Sequence, residues 1–181
     1  MVDGKKMINI LYEDNHVIVV EKKPNIPVCE DESKDLDLLN IIKKYLKEKY
    51  NKPGNVYLGL VHRLDRPVGG IMVFAKTSKA ANRLSEQVKN HKFKKIYYAV
   101  VTGKVKEKDR LIDKLLKDHR TNITRVDNNG KEAILDYELI EYKDNIALFA
   151  GELSFIHPVT KEVMDFKLDL PNRYPYNIFK N

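Results

Sequence analysis

VYLGLVHRLDRPVGGIMVFA, residues 56–75, holds two apolar runs on either side of a charged turn. Val56 to Val61 reads as one strand and Ile71 to Ala75 as another, because short β-branched and aromatic runs suit a pleated, buried surface. His62 to Pro67 reads as the polar loop between them, and Gly69 and Gly70 let other groups come close to the backbone. A loop anchored by two buried strands holds its side chains firmly yet leaves them within reach of a ligand. This one carries a single carboxylate, Asp65, between two guanidinium groups, Arg63 and Arg66, with the His62 imidazole nearby. Neighbouring cations favour the ionised carboxylate and keep it available as a nucleophile. On pattern alone the commoner meaning is a surface turn with an Asp–Arg ion pair, which contributes little energy.

The rest of the chain reads outward from this stretch. Val17 to Glu21 (VIVVE) is a short β-branched run, predicted to be a buried strand, and Pro24, Asn25 and Pro27 enforce a turn or extended loop after it. From Asp35 to Tyr50 the period changes. Leu38, Leu39, Ile42, Tyr45, Leu46 and Tyr50 fall on one helical face, with most of the lysines outside it. Ser78 to Asn90 reads as a second helix, capped by Thr77 or Ser78. Lys95 to Thr102 (KIYYAVVT) is a strand stopped by Gly103. Further strands are expected at 133–142, 146–150 and 163–168, with a turn at Asp127, Asn128, Asn129 and Gly130. The count favours an α+β domain: a mixed, mainly antiparallel sheet with two helices packed on it.

Composition narrows the partner class. The 181 residues are 43% hydrophobic and 33% charged, which is ordinary for a folded domain, and the net charge is +7. Excess Lys and Arg attracts polyanions, so nucleic acid leads. One cysteine, Cys29, excludes an intramolecular disulfide and a thiolate cluster, and fits a reducing cytoplasm. Cys29 reads as a small structural residue. Met1 to Met7 shows no signal peptide, and no apolar run approaches a membrane span. No spacing of metal ligands and no glycine-rich phosphate loop is present, so neither metal nor cofactor is expected.

The string His62-Arg63-Leu64-Asp65-Arg66-Pro67-Val68-Gly69-Gly70 resembles the catalytic motif of RluA-type RNA pseudouridine synthases. Leu11 to Pro27 is similar to that family's first strand and lysine–proline turn, and Lys95 to Gly103 to its K-x-Y-x-A strand. Asn129 to Ala133 with Tyr137 resembles its G-K-x-A strand, and Leu148 to Pro158 (LFAGELSFIHP) its closing element. The resemblance implies one catalytic domain over residues 1–181, with no S4 domain before it. It implies isomerisation of uridine in ribosomal or transfer RNA, a reaction that gains and loses no atoms and needs no cofactor. By resemblance Asp65 acts at the sugar–base bond, covalently or by assisting elimination. Tyr97 stacks on the base or removes a proton, and Arg66 fills the space left by the flipped base. Arg63, Lys92, Lys94 and Lys95, with His91, supply charge for phosphates. His62 and His157 are expected to be structural.

The resemblance breaks at one place. The family's third motif, T-G-R-x-H-Q-I-R, and the G-x-P-I-x-G-D-x-x-Y segment after it have no match; Glu138 to Asp144 lead directly into Asn145 to Ala150. Such a deletion removes the arginine that pairs with the catalytic carboxylate and exposes apolar surface. Two readings follow. One is a synthase that covers the gap by self-association, with Arg63 replacing the lost arginine; the other is a catalytically impaired RNA-binding paralogue.

Overall fold

A computed structural model describes residues 8–31, 33–101, 103–118, 120–121, 123–140, 147–172 and 176. In chain order the elements are β1 (Asn9–Glu13), β2 (Val17–Lys22), α1 (Leu38–Lys49), β3 (Gly59–Leu60), β4 (Gly69–Ala75), α2 (Ser78–Lys89), β5 (Lys94–Val100), β6 (Lys108–Asp118), β7 (Ile123–Val126), β8 (Lys131–Glu138), β9 (Ala147–Ile156) and β10 (Val163–Lys167). They form two compact units, one of Met1–Val100 with Ile146–Lys180 and one of Val101–Asn145.

The first unit is built on a seven-stranded sheet in the order β1-β2-β4-β9-β10, with β3 added to β4 and β5 added to β9. All pairings are antiparallel except β4 with β9. Strands β2 and β4 explain the central core. Every residue of β4 is buried, and β2 is buried except at Glu21. Alternate side chains therefore feed both faces. Ile18, Val20, Met72 and Phe74 pack with Leu38, Ile42 and Leu46 of α1. Val17, Val19, Ile71, Val73 and Ala75 pack with Ala80 and Leu84 of α2.

Both helices start on side-chain caps, and the one at α2, Thr77, is one of the two candidates read in the sequence. The Asp37 carboxylate accepts the Asn40 N–H, and the Thr77 hydroxyl accepts the Ala80 N–H. Glu13 clips β1 to α1 and β4: its carboxylate accepts from the Tyr45 and Tyr50 hydroxyls and from Lys49 and Lys76. Burial pushes this carboxyl up, but those four donors prevail and hold it down at about 2.

The second unit is a three-stranded antiparallel sheet in the order β7-β6-β8. Leu111 faces Leu135 and Ile112 faces Ile134 across β6 and β8, and all four are exposed. Arg110 and Asp136 form a paired ion bridge in the same ladder.

The strand read at 56–61 is confined to Gly59 and Leu60, because beyond them a side chain takes over the pairing. His62 Nε2 accepts the Val73 N–H at 3.1 Å, filling the edge of β4 between β3 and β9. The strand read at 146–150 runs on to Ile156. Thr102, Tyr142 and Ile146 of the predicted strands lie outside the described residues, as does the junction at 141–146. Among the described residues no helix is long and apolar enough to cross a membrane.

Candidate active site

The charged loop is fastened from beneath by a lysine. Lys22 ends β2, and its side chain is fully buried. Its ammonium donates to the main-chain carbonyls of Val68 at 2.6 Å, Arg66 at 2.9 Å and Asp65 at 3.2 Å. The Arg66 carbonyl also accepts the Asn25 N–H at 2.8 Å, and the Asp65 carbonyl accepts the Val68 N–H at 3.0 Å. Asn25 reaches its position through the left-handed region, φ 65°, which asparagine tolerates. A buried ammonium needs such acceptors, since carbonyls replace its water. Burial nevertheless lowers Lys22 to about 8; the Asp65 charge pushes it back up and the Arg66 charge adds to the fall.

Leu64 points into the α1 core, while Arg63 and Asp65 on either side of it are exposed. Neither the Asp65 carboxylate nor the Arg63 guanidinium has a hydrogen bond or ion pair among the described residues. Arg66 is different. Its guanidinium is held by Asp31, Ser33 and Asp35.

Tyr97 reaches this loop through sheet register. Gly70 of β4 and Tyr97 of β5 both pair with Ala150 of β9, so the three residues form a row across the sheet. Gly70 adopts φ +133°, and a methyl group there would overlap the Ala150 carbonyl. A bulge at Gly151 adjoins the row: Ile96 pairs with Glu152 and Tyr97 with Ala150. Bulges re-aim side chains. The Tyr98 ring occupies the space a Gly151 side chain would need, and its hydroxyl donates to Glu152 at 2.9 Å. Tyr97 is 39% exposed. Burial raises its phenol, and the negative charge of Asp65 raises it further, so the hydroxyl keeps its proton at neutral pH.

The remaining basic residues divide. By strand alternation Lys95 shares the Tyr97 face, while Lys94 goes with Ile96 and Tyr98. Lys94 instead lines a cavity of about 250 Å³ with Glu152, Asp165 and Lys167, apart from the Asp65 loop. Lys92, in the turn after α2, is exposed.

His62 serves the frame. It is buried, packs edge-on against Phe93, and accepts the Val73 N–H. Burial lowers it to about 4, with the Lys95 charge contributing, so it stays neutral as an acceptor must. His157, also buried, accepts the Thr160 N–H at 2.9 Å and caps a turn. Cys29 is half-buried. Lys22 escaped the reading of the sequence as a site residue. Its signal was a charged residue closing a strand of otherwise buried alternation, just before a proline turn. Among the described residues no group of three or more His, Cys, Asp or Glu is arranged to hold a metal.

A family model described as RNA pseudouridylate synthase matches residues 16–161. The chain is 33% identical over 134 residues to ribosomal large subunit pseudouridine synthase C of Buchnera aphidicola, covering 72% of this chain and 41% of that protein. It is 34% identical over 137 residues to ribosomal large subunit pseudouridine synthase D of Nitrosomonas europaea, covering 74% and 39%. The chain thus spans about two-fifths of the length of these curated relatives. Among solved structures, the human RNA pseudouridylate synthase domain containing 4 superposes with a TM-score of 0.72 at 15% identity, over 90% of this chain and 88% of that one. At that identity the likeness concerns the fold.

Proposed function

Because the chain belongs to the RNA pseudouridylate synthase family, we propose that it isomerises specific uridines of ribosomal or transfer RNA to pseudouridine, with Asp65 as the carboxylate at the sugar–base bond. The observation that carries this is an exposed carboxylate on a loop pinned by Lys22, near enough to Tyr97 for its charge to raise the phenol. In the reaction the N1–ribose bond breaks, the base turns, and C5 joins the ribose. C5 loses a proton and N1 gains one. Asp65 meets the electron-poor ribose carbon, and the buried Lys22 ammonium supplies a facing positive charge. Its phenol keeps its proton at neutral pH, so Tyr97 acts by stacking its ring on the extruded base.

The two arginines take different jobs. Arg66 would have to break its bonds to Asp31, Ser33 and Asp35 before it could enter the space left by the base. Arg63 has no such bonds among the described residues, and it fills that space. Lys92 and Lys95 contact phosphates; Lys94 turns to the other face of β5 and is a weaker candidate. We read both compact units as parts of one catalytic domain, a reading supported by a family match whose range, residues 16–161, takes in residues of each. An RNA substrate of this kind puts the reaction in the cytoplasm.

A second reading has one observation in its favour. The Asp65 carboxylate has no arginine partner among the described residues, as expected if the third motif is deleted. The chain would then bind RNA without turning it over. The exposed Leu111, Ile112, Ile134 and Leu135 support self-association as the cover for apolar surface left by such a deletion. The test is tritium release from RNA labelled at uridine C5. Release by the wild type, abolished in Asp65→Asn with RNA affinity kept, supports the synthase. Binding without release by the wild type supports the second reading and overturns the first.

A further inference from the structure

Arg66 has a fixed main chain and an occupied side chain. Its carbonyl is held by Lys22 and Asn25, so the residue can respond to a ligand only by turning its side chain. That side chain lies in a cradle. Nη1 donates to the Ser33 hydroxyl at 2.9 Å and to Asp31 at 3.3 Å, and Nη2 donates to Asp35. The cradle is itself organised. The Ser33 hydroxyl donates to Asp31 at 2.5 Å and accepts the Asp35 N–H at 3.2 Å, and Asp31 also accepts the Ser33 N–H at 3.0 Å. Lys34 takes the left-handed φ of 56° that folds the segment back.

The charge balance is unusual for a residue beside a polyanion-binding loop. Two carboxylates surround one guanidinium, so the cluster carries a net negative charge. A phosphodiester arriving at Arg66 meets repulsion instead of a free cation. Yet the three charged side chains are 41%, 41% and 53% exposed, and exposed ion pairs are weak and exchangeable. Phosphate oxygens match the guanidinium fork as carboxylate oxygens do.

We propose that Asp31, Ser33 and Asp35 form an acidic clasp that occupies the phosphate position of Arg66, and that RNA must displace it to engage this arginine. The inference rests on the reading of the chain as an RNA-binding synthase. Its consequence is selectivity. An RNA whose backbone reaches residue 66 gains a phosphate contact and opens the clasp. One that binds elsewhere on the basic surface leaves Arg66 masked.

The experiment is fluorescence-anisotropy binding of a polyuridylate strand to the full chain between 50 and 300 mM KCl. Four proteins are compared: wild type, Asp31→Asn/Asp35→Asn, Arg66→Gln, and the triple variant. Unmasking Arg66 adds one phosphate contact, so the double variant binds about threefold or more tightly at low salt, and its log–log salt slope steepens by about 0.7. In the Arg66→Gln background the gain vanishes. An equal gain in both backgrounds, or weaker binding by the double variant, overturns the clasp while leaving the synthase reading intact. Failure of all four proteins to bind RNA overturns both.

Discussion

His62 makes the stability of this domain depend on mild acid, and the size of the effect follows from its bonds. Nε2 accepts the Val73 N–H, so the ring must be neutral with its proton on Nδ1. Protonation would replace that acceptor by a donor pointing at a donor, in a site closed by Phe93. The ordinary value of 6.5 falls to about 4. Between these two values the unfolded chain binds a proton that the folded chain refuses, so stability rises with pH there. The contribution is complete above 6.5 and drains away as pH falls toward 4. At ~1.36 kcal/mol per pH unit this amounts to about 3 kcal/mol, a large part of a total of roughly 5–15 kcal/mol. The assay is urea unfolding at intervals from pH 7.5 to 4.5 for the wild type and His62→Gln, whose amide oxygen accepts the same N–H without titrating. The wild type loses about 3 kcal/mol more across this range than the variant. Glu13, held at about 2, contributes stability that is lost mainly below this range, and loses it equally in both proteins. Parallel curves for the two proteins, or an imidazole nitrogen spectrum with the proton on Nε2, would refute the reasoning.

Lys22→Met keeps the bulk of the side chain and removes the donor shared by three carbonyls of the Asp65 loop. Each lost charge-assisted bond costs about 1.5–3 kcal/mol, partly offset by relief of the buried ammonium, so a net destabilisation of about 2–4 kcal/mol is expected in urea unfolding. A change below about 0.5 kcal/mol would mean that the loop holds itself. Gly70→Ala forces a side chain into φ +133° and against the Ala150 carbonyl, which is tied to both β4 and β5. Strain and overpacking together cost about 3 kcal/mol or more, measured by thermal unfolding. Gly54→Ala, at a position open to solvent on all sides, serves as the control, and equal effects at both glycines would show that the Gly70–Ala150 contact is not a constraint.

Much of the first unit was legible because its signals are local. The VIVVE run, the 35–50 periodicity and the Thr77 cap each reflect the physics of a few consecutive residues. Strand β6 was not legible: KDRLIDKLLKD lacks alternation because neither face of its sheet is buried, and so neither imposes a pattern. Nor was the role of Lys22, since the carbonyls it serves lie more than forty residues away. The loop around Asp65 could be read as a loop. That Arg66 is engaged depends on Asp31, Ser33 and Asp35, an approach set by tertiary packing, while Arg63 has no partner among the described residues.

The same division bears on what the proposed deletion would require of the site. The residues proposed for chemistry come from β2, the loop before β4, and β5, all N-terminal to the junction at 141–146. What brings Asp65 and Tyr97 together is β9, C-terminal to it. A deletion between β8 and β9 is compatible with the site only if β9 still enters between β4 and β5. It does so through a short parallel contact, Gly69 with Phe149 and Gly70 with Ala150, and a long antiparallel one to β5. The parallel contact is two residues long and admits no side chain at Gly70. The long ladder to β5 therefore supplies the binding of β9, and the glycine pair supplies its register against the Asp65 loop. Loss of the pair would leave β9 bound to β5 yet free to slide past β4, carrying Tyr97 away from the carboxylate with the sheet otherwise intact.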